Sequence, residues 1–548
     1  MAWLKAFGLY YRTLKYLRIK QIYHRVRRAI YKPKLPRLSD SRDMIIRKSE
    51  APSKFPHKHD SLLDYHKFRF LNKTIELKFP VGWHQANIPL LWLYNLHYFD
   101  GLLGKNTTES LKESLVERWI RDNSSSMGVA WDPYPLSLRI CNWIKWFWEG
   151  GSEASPSQLS SLFQQVRFLE RTLEYHLLGN HLLENAKALI FAGYFFGGKL
   201  GDRWLVLGVK ILKHELREQI LDDGGHFELS PMYHSVMLEL VLDILQLSKE
   251  ESAPDILAAE STRLTQTAIS MSRWLATMCH SDGEIAYFND SALGIAETPK
   301  DLVNRANKIL GSIFAEQLDS VKYLNASGYI RLSNKNAVVF FDVAEVGASY
   351  LAGHGHADAL ALEFSLFRQR LFVNIGTSEY GNGTRRHYER STAAHSTVEI
   401  EGQNSSEIWS GFRVGRRSRV KNVTFFDSCS VSAEHDGYRY IAGSPVHRRT
   451  VSLGDTAFTV EDNVDSRDVS YLTRFHIHPD IEILLSDSKD SGYFIFTDGV
   501  KVTWKSESDD VSIEANYYAE SFGKLSPMKT LVLHRKLGGK TKLVVNWS

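Results

Sequence analysis

Gly353-His354-Gly355-His356-Ala357-Asp358-Ala359-Leu360-Ala361-Leu362-Glu363-Phe364-Ser365-Leu366 sets two imidazoles and a carboxylate before an apolar run that alternates with period two. Such alternation marks a half-buried strand, in which residues i and i+2 point to the same side. The spacing predicts a strand over Ala359–Phe367 and puts His354, His356 and Asp358 on one face. Imidazole is the side chain that serves near neutral pH as base, acid or metal ligand. A His-x-His pair in a strand is also a common hydrogen-bonded structural pair, and the stretch alone leaves both readings open.

The same period continues towards the C-terminus, in short runs from Gly328–Leu332 and Ala337–Asp342 to Val511–Asn516 and Thr541–Trp547, separated by turn residues. That pattern predicts an antiparallel sandwich. Before residue 325 the period is helical: Pro135–Trp148, Ser157–Leu177, His181–Phe196, Trp204–Ile220, Met232–Ser248 and Ser261–Cys279 repeat apolar residues at i, i+3, i+4 and i+7. Many successive helices of similar length predict a helical toroid or solenoid. The expected class is therefore α+β and multidomain, divided into a basic N-terminal segment (1–50), a helical domain (51–320) and a β-sandwich (321–548).

A chain of 548 residues is too long for one ordinary domain. Its formal net charge of +4 is too small to argue for nucleic acid as a partner. The distribution of charge says more. No acidic residue precedes Asp40, whereas Lys5, Arg12, Lys15, Arg18, Lys20, Arg25, Arg27, Arg28, Lys32 and Lys34 all do. Interleaved with Trp3, Phe7, Tyr10, Leu14, Leu17, Ile22 and Val26, they read as a basic amphipathic helix, which either rests on an anionic membrane surface or docks on the protein itself. The segment lacks the apolar h-region and cleavage site of a secretory signal, and no run of about 18 apolar residues follows. Cys141, Cys279 and Cys429 form neither a disulfide framework nor a CxxC site. A cytoplasmic location is the expectation, with export by another route left open.

Three further clusters carry chemistry. Gly179-Asn180-His181-Leu182-Leu183-Glu184-Asn185 opens a helix, where free N–H groups and polar side chains receive an anion; the plainer reading makes Asn180 an N-cap. Glu228-Leu229-Ser230-Pro231-Met232-Tyr233-His234 presents Tyr233 either to a cleft or to the core. Arg385-Arg386-His387-Tyr388-Glu389-Arg390, leading to His395, suits a polyanionic ligand or a solvated basic loop.

Taken in order, the motifs WDPYPLSLRICNW (131–143), GNHLLEN (179–185), ELSPMYHS (228–235), GHGHADALALEF (353–364) and RSTAAHSTVEI (390–400) resemble the heparinase II/III-like family of polysaccharide lyases. The resemblance implies an (α/α) toroid, an incomplete helical barrel, followed by an antiparallel β-sandwich. It also implies cleavage of uronic-acid polysaccharides, glycosaminoglycans or alginate, by β-elimination. That chemistry must neutralise the uronate carboxylate, remove the C5 proton and protonate the departing O4. By resemblance, Asn180 and His181 neutralise the carboxylate. Tyr233 is the general acid, and for one epimer also the base; His354 is the base for the other epimer or a second neutraliser. Trp131, Arg139 and Tyr388 are expected to stack on or bind flanking sugars, Arg386 to meet a carboxylate or sulfate, and Glu184 to orient His181.

The same resemblance implies a structural divalent ion, often zinc and held in several relatives, at positions matching His356, Asn374 and His395. Neutral Asn is a poorer zinc ligand than the usual Asp, so Asp358, Glu363 or water would have to complete the set. No organic cofactor is expected. Two other functions stay open: a cytoplasmic lyase tied to surface-polysaccharide synthesis, and a non-catalytic carbohydrate-binding protein on the same fold.

Overall fold

In the computed structural model, which describes residues 2–37, 43–47, 52–124, 128–150, 154–311 and 319–548, the helix-period segments fold as helices. Among them are Glu109–Asn123, Pro133–Trp148, Pro156–Thr172, Gly179–Phe195 and Gly198–Gln219. Local chemistry sets their starts. Pro133 occupies the first turn after Asp132, where a missing N–H costs nothing. Ser155 and Gln158 form a reciprocal capping box ahead of Pro156–Thr172. The basic N-terminal segment forms two helices, Ala2–Leu14 and Ile19–Ile30, in place of one. The expected boundary between residues 50 and 51 lies outside the described residues.

The chain divides into two units. The helical unit comprises Arg18–Gln219 and Leu240–Ala268. Its core is unusually aromatic, with Trp83, Trp92, Trp119, Trp143, Trp146 and Trp204 fully buried. Within it Lys145 and Lys187 both reach Asp243, at 2.7 and 2.8 Å, so these buried charges are paired.

The second unit comprises Met1–Leu17, Ile220–Glu239 and Ile269–Ser548. Two antiparallel sheets dominate it. One runs, edge to edge, Val420–Asp427, Ser430–His435, His447–Leu453, Ala457–Val464, Gly539–Asn546, Lys501–Glu507, Ser491–Ile495 and Glu482–Leu485. The other runs Asp510–Ser521, Lys524–Arg535, Tyr471–Ile477, Gln369–Val373, Leu362–Leu366, Ala337–Asp342, Tyr329–Ser333 and Val321–Leu324, with Val398–Ile400 also paired to Tyr471–Ile477. Side chains from both sheets, including Val339, Phe364 and Phe475 from one and Val451, Phe458 and Val545 from the other, share one hydrophobic core.

Two local expectations change. Only Leu362–Leu366 of the alternating run is a strand. Leu360 takes a left-handed conformation (φ 59°), and Gly353–Asp358 is a loop, so His354 and His356 do not share a strand face. Lys524–Arg535 was hidden in the sequence by Pro527. That residue lies beyond the stretch paired to Tyr471–Ile477, where no ladder hydrogen bond on that side is lost.

Candidate active site

The polar centre of the sandwich-bearing unit is Asp290, a residue in a short loop after the apolar segment Ile285–Phe288. Arg386 donates to both of its oxygens, a fork-on-fork pair whose members are fully buried. His354 Nδ1 lies 2.8 Å from Oδ2 and His356 Nε2 lies 2.8 Å from Oδ1. Burial alone would raise this carboxyl, but Arg386 and the two imidazoles hold it well below the usual range. A carboxylate can only accept, so His354 donates from Nδ1 and keeps Nε2 for other work. Glu228 Oε2 lies 3.4 Å from that Nε2.

Asn289 ties the loops together. Its side chain accepts from the His356 N–H at 2.9 Å and donates to the Leu229 carbonyl at 2.8 Å. Asn289, Leu229 and Leu360 all have positive φ (56°, 58° and 59°), a cost that non-glycine residues carry where tertiary contacts fix the backbone. Ser230 Oγ accepts from the Tyr233 N–H at 3.1 Å, capping the helix Pro231–Ser248. The Tyr233 ring lies against the His354 ring, centroids 3.9 Å apart, and its hydroxyl is 3.1 Å from that of Tyr380. Burial, reinforced by Tyr380 and Asp290, pushes the Tyr233 phenol well above its ordinary value. At neutral pH it is a proton donor.

Beside this group His395 donates from Nδ1 to Asn374 Oδ1 (3.2 Å), an oxygen that also accepts from the Ser396 N–H (3.1 Å). His395 Nε2 therefore turns towards His356 Nδ1, 3.2 Å away. With His356 Nε2 committed to Asp290, the two facing nitrogens both carry lone pairs, because burial keeps the rings neutral: His356 is pulled down to about 4 and His395 well below its usual range. Asp358 joins them, with donor atoms within 4.8 Å of one another. Two neutral imidazoles and a carboxylate fit a zinc-like ion.

In the helical unit, the chain enters Gly179–Phe195 through Leu178 at φ 66° and Gly179 at φ 61°, so Asn180 is a first-turn residue and Leu178 the cap. Asn180 is buried, while the His181 side chain keeps 30% exposure. Glu174 Oε1 lies 3.1 Å from His181 Nδ1 and fixes the ring, which also packs on Tyr134 at 4.4 Å. Asn185, the last residue of the same motif, holds Glu174 through its backbone N–H (2.8 Å) and its carboxylate (3.2 Å).

Residues 115–319 match the family model for the heparinase II/III N-terminus, and residues 316–547 match that for the heparinase II/III-like C-terminal region. The chain belongs to the heparinase II/III-like family. Heparinase III, in its crystal structure, shares the fold of this family member at a TM-score of 0.71 and 18% identity, over 86% of this chain and 81% of that one. FtsZ-localized protein C of Caulobacter vibrioides is 24% identical over 431 residues, 73% of this chain and 70% of that protein. A heparin-sulfate lyase of Pedobacter heparinus is 26% identical over 265 residues, 45% of this chain and 39% of the lyase. The alignment thus spans well under half of that lyase's length.

Against the heparinase II/III-like pattern, several expected roles move. Trp131 is buried, donates to the Asn123 carbonyl at 3.0 Å and packs on Trp119 and Phe168; it is a core residue. Arg139 is fully buried over the Trp119 face and donates to Gln165, His97 and Ala130, so it braces backbone in place of meeting a sugar. Arg386 is fully buried as the counter-ion of Asp290 and also donates to the Gly411 carbonyl, in place of facing a sulfate. Glu184 faces Lys187 at 3.9 Å, and Glu174 does the orienting expected of it. Asn374 holds His395 from the far nitrogen, and Asp358 stands with the imidazoles. Tyr388 stays half-buried, its hydroxyl accepting from Asn516 at 2.7 Å.

Sequence reading passed over Asp290, Asn289, Tyr380 and Glu228 in the sandwich-bearing unit and Glu174 in the helical unit. Glu228 stood inside a recognised motif. The Asn289-Asp290 pair between an apolar run and a loop was the one other available signal.

Proposed function

We propose that this protein is a polysaccharide lyase that cleaves uronic-acid-containing polymers by β-elimination. The observation that carries the reading is the Tyr233–His354 pair, in ring contact with centroids 3.9 Å apart and anchored on Asp290. In the proposed reaction the C5 proton leaves to a base, electrons move into a C4–C5 double bond, and the C4–O4 bond breaks as O4 takes a proton. Tyr233, kept protonated by its surroundings, supplies that proton. His354, with Nδ1 committed to Asp290, works through Nε2 as base or as a donor to the uronate carboxylate. Asn180 and His181 are assigned the neutralising role, which counters the charge that builds on the carboxylate as C5–H breaks. A zinc-like ion would be held by His356, Asp358 and His395, and when bound would supply fixed charge that pins the loop carrying His354.

The reading is tested by incubating the full chain with heparan sulfate, hyaluronan, chondroitin sulfate and alginate and following the ultraviolet absorbance of the unsaturated uronate. Product on at least one polymer is expected; none on any polyuronate would refute it. A second reading, a non-catalytic protein on this fold, draws on the match to FtsZ-localized protein C, which spans more of the chain than the match to the lyase. Saturable polysaccharide binding without product would favour it.

A further inference from the structure

The helix Ile19–Ile30 wears its amphipathy inside out. An ordinary surface helix turns its apolar stripe to the core and its charges to water. Here the inward side is polar. Gln21 is fully buried and donates to the Leu177 carbonyl at 3.2 Å. His24 packs on the Tyr175 ring at 5.0 Å, and Arg28 reaches His176 Nε2 at 2.8 Å. The outward side is apolar: Ile19 is 85% exposed, Ile30 82%, Tyr23 61%, Val26 54% and Ile22 46%. At 3.6 residues per turn these five positions fall within an arc of about 100°. Lys20 and Arg27 follow on one edge of the stripe and Arg25 on the other, and the chain holds no acidic residue before Asp40.

We propose that this face rests on an anionic lipid bilayer. Apolar side chains in a single stripe, rimmed by cations and free of carboxylates, match an acyl layer edged by negative headgroups. A protein partner covering the same stripe would have to bring its own row of carboxylates, whereas a bilayer supplies both features continuously. The helix is about 18 Å long, too short to cross a bilayer, and no helix among the described residues is long and apolar enough to do so. The contact is therefore peripheral, with the axis in the plane of the headgroups. It does not rest on the lyase reading.

The test uses the full chain with sucrose-loaded vesicles of phosphatidylcholine alone or with one-third phosphatidylglycerol. The protein is expected to co-sediment with the anionic vesicles about tenfold more strongly than with the neutral ones, and to be released by high salt. The double variant Ile22→Glu/Val26→Glu, at exposed positions, is expected to lose vesicle binding by about tenfold or more with an unchanged circular dichroism spectrum. The salt titration of the unaltered protein gives a second reading that needs no variant. Equal sedimentation with neutral and anionic vesicles, or undiminished binding by the double variant, would overturn the proposal. So would a concentration-dependent oligomer, abolished by the same double variant, in a protein that ignores vesicles; that result would give the stripe to a second copy.

Discussion

Asp290 Oδ2 accepts from His354 Nδ1 across 2.8 Å, and the same carboxylate is gripped from the other side by Arg386. The imidazole is thereby fixed by a charge that is itself fixed, although Asp290 and Arg386 lie far from His354 in sequence. Rigid support of this kind is what keeps a proton-transfer group in working position.

Asp290→Asn should strike stability and turnover together. It leaves the Arg386 guanidinium buried without its counter-ion, a change that costs about 3–5 kcal/mol in comparable buried pairs. It also leaves one acceptor oxygen in place of two, so one of His354 and His356 loses its partner. A fall in melting temperature accompanied by a loss of elimination rate of about 10–100-fold is expected. A variant with wild-type melting and turnover would show that the carboxylate orients nothing.

Tyr233→Phe isolates the chemistry from the fold. The hydroxyl meets Tyr380, so its removal should cost only about 1 kcal/mol of stability. Turnover should fall by at least about 100-fold, because O4 loses its proton donor. Circular dichroism and product absorbance measured on one preparation decide the matter; retained activity would assign the proton to another group.

Glu174→Gln and Glu184→Gln separate two carboxylates of the helical unit. Although burial opposes it, His181 helps hold the Glu174 carboxyl below its ordinary value, so the contact favours the charged pair. Neutralising Glu174 should slow elimination by about tenfold, the worth of one charge-assisted hydrogen bond. Glu184→Gln should instead lower stability through Lys187, with kcat nearly unchanged. The opposite ranking in steady-state kinetics would restore Glu184 as the orienting group.

For the ion, zinc competition against a chromophoric chelator gives a readout independent of activity. Asp358→Asn should weaken zinc binding by at least about tenfold. Asn374→Asp should strengthen it, since a carboxylate on His395 Nδ1 makes Nε2 a better ligand without joining the site. Weaker binding by Asn374→Asp would contradict the geometry described for His395.

Acid should unfold the sandwich-bearing unit early. His234 is buried, accepting at Nδ1 from the His226 N–H (3.2 Å) and facing the Met271 carbonyl from Nε2 (2.9 Å), and burial depresses it to about 3. His476 is depressed by burial to about 3 as well. A folded value below the unfolded one means that the stabilisation is complete above pH 6.5 and is lost as pH falls from there towards 3. Each residue should therefore remove about 2 kcal/mol between pH 7 and pH 5. Urea titrations at the two pH values check the slope, and His234→Gln should flatten it by about one proton.

Periodicity alone was enough for the architecture: runs such as Ser157–Leu177 and Ala337–Asp342 state their element because burial repeats every 3.6 or every 2 residues. Tyr233 and His354, to which the proposed proton transfers are assigned, could be singled out for a different reason, since short ordered motifs carry them. What failed was everything that depends on which way a side chain faces. Trp131, Arg139 and Arg386 have the chemistry of ligand-binding residues, yet all three are buried and spend their polar atoms on the protein. The exposed stripe of Ile19–Ile30 shows the converse, because its period is helical in either orientation and only packing against Tyr175 to Leu177 reveals which side is outside.

The sequence by itself thus determined element type, element order and the motif residues, all of which are local properties of the chain. Tertiary structure alone decided that Asp290 stands between His354, His356 and Arg386, that Glu174 serves His181, and that Asp358 joins His356 and His395. The Asp290 partners come from segments remote in the chain, and even Glu174 and His181, seven residues apart, meet through a turn. Hydrogen bonds and ion pairs act over a few ångströms of space, a separation that residue spacing does not encode.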